Sequence, residues 1–182
     1  MSVAGAADKV VILDRDGTLV IDRGYLDDPE GLEFEAGAAE GLKWLYSHDF
    51  RLVVITNQSG VGRGLFTLER LEEMNARLNV MVRDAGARLE GIYYCPHAPD
   101  SGCACRKPAL GLLTRAAADL GFSPASSIMI GDRESDIEFG HRAGATTILI
   151  AARTPTVDFR FRPDLVAPNL MEAARAVTSL RA

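Results

Sequence analysis

The sequence predicts an α/β fold with a mainly parallel sheet, and three observations carry that prediction. Short apolar runs rich in β-branched residues alternate with longer stretches of helical periodicity, the pattern of repeated β-α-β units. The connections between them are short. Several runs end in polar residues of ligand type, at the strand ends where open parallel sheets gather their sites.

The first strand is Lys9–Leu13, whose Val10-Val11-Ile12-Leu13 run is too uniformly apolar for a surface strand. Further strands are expected at Arg51–Ile55, Gly91–Tyr94, Ser127–Ile130 and Thr146–Ile150. Helices are expected at Ala36–Ser47, Thr67–Ala85, Ala109–Leu120 and Asp136–Ala143. Thr67 suits an N-cap, although Arg70 stands where a capping box prefers glutamate. Gly121 follows Leu120 as a C-terminal stop does. After Ile150 the pattern loosens, then resumes with a short sixth strand at Leu165–Ala167 and a closing helix capped by Asn169. Parallel strands joined by helices require right-handed crossovers. Neither the stretch from Asp16 to Thr56 nor that from Thr56 to Lys107 holds an inserted domain of ordinary size, so no large cap and an open site are expected.

Length and composition bound the rest. A chain of 182 residues with 47% hydrophobic content suits a single domain, 1–182, with a real core. The formal net charge of −5 argues against a nucleic-acid partner, which favours a basic face. No apolar run approaches the roughly 18 residues of a membrane span. Residues Met1 to Lys9 lack the basic start and apolar core of a signal peptide, so a cytoplasmic location is expected.

The residues that carry chemistry sit at the strand ends. Asp14 and Asp16, at i and i+2 in Asp14-Arg15-Asp16-Gly17-Thr18, bring two anions together as the chain leaves the first strand. Like charges so close need a cation or a proton to compensate, and a hard divalent ion such as Mg²⁺ suits oxygen ligands. One aspartate can attack an electrophile while its neighbour moves protons. The second strand ends in Thr56-Asn57-Gln58-Ser59-Gly60, whose hydroxyls and amides suit phosphate oxygens. Arg106-Lys107-Pro108 offers a fork and a compact positive charge. The fourth strand ends in Gly131-Asp132-Arg133-Glu134-Ser135-Asp136, with further carboxylates for a cation. Taken singly, these also fit a turn, a solvated lysine or a helix cap. Together and in this order they describe phosphoryl transfer through an aspartyl-phosphate.

All three cysteines fall in one loop, 95–105: Cys95-Pro96-His97 and Cys103-Ala104-Cys105. A disulfide framework spreads and pairs its cysteines, whereas a Cys₃His cluster is a standard structural zinc set. Three thiolates around Zn²⁺ leave one negative charge, which Arg106 and Lys107 follow at once to balance. A redox cysteine pair, or free thiols beside a surface histidine, also fits the spacing.

With these four motifs in hand, the chain resembles the haloacid dehalogenase superfamily of phosphohydrolases over nearly its whole length. The resemblance implies a Rossmann-like, three-layer fold and Mg²⁺ dependence. It makes Asp14 the nucleophile, Asp16 the acid that later activates water, and Thr56 and Lys107 the groups that steady the transferring phosphoryl. Mg²⁺ would be held by Asp14, the Asp16 carbonyl and Asp132, with Asp136 supporting them. The cysteine loop is similar to that of two phosphatase groups, one acting on D-glycero-D-manno-heptose 1,7-bisphosphate and the other on histidinol phosphate. The segments around Gly24-Tyr25, Ser59 and Tyr93-Tyr94 look more like the first. By this resemblance Asp22, Arg23, Gly24 and Tyr25 form a flap near the sugar, and Asn57, Gln58, Ser59, Arg106 and Arg133 bind substrate. The partner implied is a small phosphorylated sugar, with no nucleic acid and no membrane, and the capless design is compatible with a monomer.

Overall fold

Val10–Leu13 is buried at every residue, as an unbroken apolar run must be when both faces of a strand are covered. In the computed structural model, which describes residues 9–151 and 160–180, this run is the central strand β1. The elements follow as α1 (Ala38–Ser47), β2 (Arg51–Asn57), the single turn α2 (Ser59–Gly62), α3 (Leu68–Asp84), β3 (Leu89–Cys95), α4 (Gly111–Leu120), β4 (Ile128–Gly131), α5 (Glu134–Ala143), β5 (Thr146–Ile150), β6 (Leu165–Ala167) and α6 (Leu170–Leu180). The strands form one sheet in the order β3-β2-β1-β4-β5-β6, and every neighbouring pair is parallel.

Alternation along the strands splits the core in two. Val11 and Leu13 face one layer with Leu42 and Leu45 of α1, Met74 and Leu78 of α3, and Leu170 and Val177 of α6. Val10 and Ile12 face the other, with Leu112, Leu113 and Ala116 of α4 and Phe139 of α5. Each such fully buried leucine is worth about 1.5–3 kcal/mol. The fold is therefore the Rossmann-like three-layer arrangement expected.

Differences from the expected boundaries have local causes. Gly37 adopts a left-handed φ of 79°, so α1 starts at Ala38 rather than Ala36. The Asp136 carboxylate accepts from the Arg133 N–H at 3.1 Å, which draws the first turn of α5 back to Glu134. Thr67 does cap α3, its hydroxyl accepting from the Arg70 N–H at 3.2 Å, while the Arg70 side chain pairs with Glu73. Asn169 caps α6 through the Glu172 N–H at 3.0 Å. The turn α2 was not expected from the sequence; it is too short for periodicity to reveal.

The strand order reverses beside β1, since β2 lies on one side of it and β4 on the other. Crevices form at such switch points. Residues 14–37 cross above it as a narrow ribbon, held by the Gly17 N–H to Val20 carbonyl, Ile21 N–H to Glu33 carbonyl and Glu35 N–H to Leu19 carbonyl bonds. No large cap follows among the described residues. Among the described residues no helix is long and apolar enough to cross a membrane.

Candidate active site

Asp14 is the first residue past β1, and its N–H still donates to the Ile130 carbonyl at 3.0 Å, fixing it between β1 and β4. Its carboxylate accepts from the Lys107 ammonium at 2.7 Å. Lys107 is brought in by the loop before α4; its side chain is 1% exposed, and its donors go to Asp14, to Asp136 at 2.7 Å and to the Ile55 carbonyl at 2.6 Å. Burial alone would depress its basicity, but Asp136 and Asp14 hold the ammonium above its usual value. Gly17 has a φ of 81°, and a Cβ there would stand 2.5 Å from an Asp132 carboxylate oxygen, so only glycine lets the ribbon pass this close.

Carboxylate oxygens of Asp14, Asp132 and Asp136 all lie within 4.8 Å of one another. Three anions against one lysine leave an excess of negative charge. Asp132 is pushed up to about 7, first by burial and then by Asp14 and Asp136, with Arg133 opposing. Asp136 is raised as well: burial and Asp14 outweigh the pull of Lys107. Hard oxygen donors in this charge state fit a divalent cation. Both carboxyls hold protons more tightly than in the unfolded chain, where aspartate titrates near ~3.9, so the stability they confer is full in acid and is lost as pH rises through their folded values. Between roughly pH 5 and 8 the melting temperature of metal-free protein is expected to fall, and Mg²⁺ to raise it more at the upper end. Thermal scans with and without Mg²⁺ check this; indifference to Mg²⁺ at both ends would count against a cation site.

Asp16 lies opposite, its side chain 25% exposed to the cleft. The Arg15 guanidinium grips it through Nε at 3.1 Å and Nη2 at 3.1 Å. The Gln58 amide donates to Asp16 at 2.6 Å and to the Thr56 hydroxyl at 2.9 Å, and its oxygen accepts from Arg15 at 2.8 Å. Gln58, expected to bind substrate, is thus buried and occupied with its neighbours. Asn57, also expected on substrate, exchanges two hydrogen bonds with the Lys107 backbone, at 2.9 and 3.2 Å, which ties β2 to the lysine loop. Arg15 carried no functional reading in the sequence, because nothing local marks an arginine in a polar turn as buried.

A cavity of about 120 Å³ is lined by Asp14, Asp16, Thr56, Asn57, Ser59, Arg106, Lys107, Arg133, Ser135 and Asp136. A second, of about 200 Å³, continues it past Asp22, Gly24, Tyr25, Ser59 and Phe66. One Arg106 Nη atom is buried with no hydrogen-bond partner, a vacancy that suits an anion. Arg133 bonds Asp22 at 2.6 Å across the cleft, joining the ribbon to the β4–α5 turn. Tyr25 is half exposed at the rim, with the Arg63 guanidinium 6.0 Å from its ring. Arg23 pairs with Glu33 at 2.7 Å and lines neither cavity.

Beyond β3 the Cys95, His97, Cys103 and Cys105 ligand atoms draw together. Their separations are 3.1 Å for Cys95–Cys105, 3.5 Å for Cys95–Cys103 and Cys103–Cys105, and 3.1 and 3.6 Å from His97 Nδ1 to Cys105 and Cys95. Tetrahedral bonds of about 2.3 Å to sulfur and 2.0–2.1 Å to nitrogen give edges of the same order. Burial pushes the Cys95 thiol up to about 12, whereas a hydrogen bond with Ser101 brings Cys103 down to about 6. The Gly62 N–H donates to the Pro96 carbonyl at 2.7 Å, and a Cβ on Gly62 would stand 2.4 Å from the Ala98 nitrogen, so α2 seats directly on this loop.

A HAD-hydrolase-like family model matches residues 104–173. A D-glycero-beta-D-manno-heptose-1,7-bisphosphate 7-phosphatase from Helicobacter pylori is 41% identical over 148 residues, 81% of this chain and 85% of that protein. Its counterpart from Haemophilus ducreyi is 36% identical over 173 residues, 90% of this chain and 95% of the other. Among solved structures, the D,D-heptose 1,7-bisphosphate phosphatase from B. bronchiseptica, complexed with magnesium and phosphate, matches with a TM-score of 0.82 and 28% identity, covering 94% of this chain and 99% of that one.

Proposed function

The chain belongs to the D-glycero-D-manno-heptose-1,7-bisphosphate 7-phosphatase family of HAD-like hydrolases, and from that membership we propose that it removes the 7-phosphate of this sugar bisphosphate with Mg²⁺ as cofactor. One observation carries the chemistry: the Asp14 carboxylate rests on a buried lysine, with two further carboxylates within 4.8 Å, at the reversal point of a parallel sheet.

Asp14 attacks phosphorus in line as the bond to the sugar oxygen breaks. Asp16 gives its proton to that departing oxygen, so no free alkoxide forms. Water then attacks the aspartyl-phosphate; Asp16 takes up its proton, the Asp14–phosphorus bond breaks, and inorganic phosphate leaves. Lys107 and the Thr56 hydroxyl hold the equatorial oxygens, where charge must be neutralised for two anions to meet. Asp14, the Asp16 carbonyl and Asp132 would hold Mg²⁺, which would supply the remaining positive charge when bound. Ser59, Arg106 and Arg133 take the distal part of the substrate, Arg106 with its unpaired nitrogen toward the second phosphate. In this reading residues 1–182 act as one cytoplasmic, monomeric unit needing neither nucleic acid nor a membrane. The test is kcat/KM on heptose bisphosphate against histidinol phosphate, with Mg²⁺ supplied. A preference of about 100-fold or more for the heptose is expected, and a reversed preference overturns the assignment.

Cys95, His97, Cys103 and Cys105 hold a structural Zn²⁺ in this reading; four ligands leave no open position for catalysis. Protein purified without chelator is expected to carry zinc, and Cys95→Ser to lose it together with thermal stability. A zinc-free native protein of full stability would exclude the ion.

A further inference from the structure

We propose that Arg15 is the positioning residue of the proton-transferring aspartate: it fixes the Asp16 carboxylate toward the scissile oxygen and thereby controls breakage of unactivated esters. The inference rests on the proposed role of Asp16.

Arg15 is 3% exposed, although it directly follows a residue at the cleft. Its guanidinium makes three kinds of contact. Nε and Nη2 grip Asp16, Nη2 also donates to the Gln58 oxygen at 2.8 Å, and Nη1 donates to the Asn75 oxygen of α3 at 3.3 Å. Asn75 is itself buried. Gln58 closes the ring by donating at 2.6 Å to Asp16 Oδ2, the oxygen that Arg15 Nε also holds. Adjacent residues seldom face each other, yet here the chain turns so that a buried arginine lies under its own neighbour. The turn is held by the Leu19 and Val20 N–H groups, which donate to the Arg15 carbonyl at 2.9 and 3.0 Å.

A buried charge is weak evidence for stability, since burying it costs about as much as its partners return. What the arrangement does supply is direction. A planar fork meets a carboxylate in one plane, and a second amide leaves that plane no freedom to rotate. Asn75 anchors the fork to α3, which packs into the core through Met74 and Leu78. Asp16 is therefore aimed from below by a rigid element, while its exposed edge faces the cleft. Proton transfer requires that aim, because a carboxyl out of hydrogen-bond reach of the departing oxygen cannot protonate it.

The experiment compares two substrates that differ in their need for a proton. The sugar oxygen of heptose bisphosphate is too basic to leave without a proton, whereas p-nitrophenyl phosphate releases a stable phenolate. kcat/KM reports events through formation of the aspartyl-phosphate. For Arg15→Met it is expected to fall about 100-fold on the sugar and by less than about threefold on the nitrophenyl ester, with an initial burst of nitrophenol as slow water attack becomes limiting. Arg15→Lys retains a buried cation and so the fold, but it cannot grip both carboxylate oxygens, and the same discrimination is expected. Equal losses on both esters, or none, in the folded variants would overturn the role of Arg15. Asp16→Asn separates the two readings. If it discriminates between the esters and the Arg15 variants do not, only the positioning inference fails; if it does not discriminate, the assignment of Asp16 fails and the inference with it.

Discussion

Asp14→Asn is expected to lower kcat on heptose bisphosphate by roughly 10⁴-fold or more while leaving the protein folded. The amide keeps the size of the carboxylate and an oxygen for the Lys107 ammonium at 2.7 Å, so little in the packing changes. It cannot form an acyl-phosphate. The same substitution removes one of three clustered negative charges, and Asp132 and Asp136 are both held above their ordinary titration range partly by the charge of Asp14. Metal-free Asp14→Asn is therefore expected to melt at a higher temperature than the parent above neutral pH, while activity is lost. Sites that concentrate charge for catalysis carry this trade-off. A kinetic assay with paired thermal scans checks both halves; near-normal turnover would remove Asp14 from the reaction.

Lys107→Met is expected to be the most damaging single change to the fold of the site. Methionine fills much of the aliphatic volume but leaves Asp14 and Asp136 facing each other without a cation. Stranding a buried charge by removing its partner costs about 3–5 kcal/mol, which for a chain of this size corresponds to a fall in Tm of about 10 °C. Activity should drop roughly 10³-fold, since the lysine steadies transferring charge. The direction with pH is fixed. Asp136 already titrates above its ordinary value, and without Lys107 it rises further, so the loss of stability is largest above neutrality and shrinks in acid as the carboxyl takes up its proton. Chemical denaturation at two pH values measures this; a deficit that grew toward acid would contradict it.

The inner strands β1, β2 and β4 were legible because their apolar runs are buried on both faces, which leaves an unbroken pattern. The helices were legible because α1, α3, α4 and α6 each bury one stripe. Asp14, Asp16, Thr56, Lys107 and Asp132 stand at strand ends or in the loops beyond them, so chain order alone brought them toward one edge. What the sequence concealed is which polar groups spend their capacity on one another. Asn57 and Gln58 read as free amides in a phosphate-binding loop; one clasps the Lys107 backbone and the other is shared among Thr56, Asp16 and Arg15. Arg15 meets Asn75 across 60 residues of chain, and no local pattern reports such a contact. Arg23 sits in the segment expected to cover the sugar but turns to Glu33 instead, a choice made by the ribbon's own pairing.

The narrow ribbon over the switch point has a kinetic corollary. Among the described residues no hinged cover closes the mouth, so product escape waits on no slow opening step and depends on how firmly the rim guanidiniums hold the phosphate, and turnover should respond to ionic strength more than to solvent viscosity. Bulk water must then be kept from the reacting bond by something else. On the proposed substrate that task would fall to the sugar, whose far phosphate, once seated on the rim, would make the molecule a stopper for the vessel in which it is cleaved.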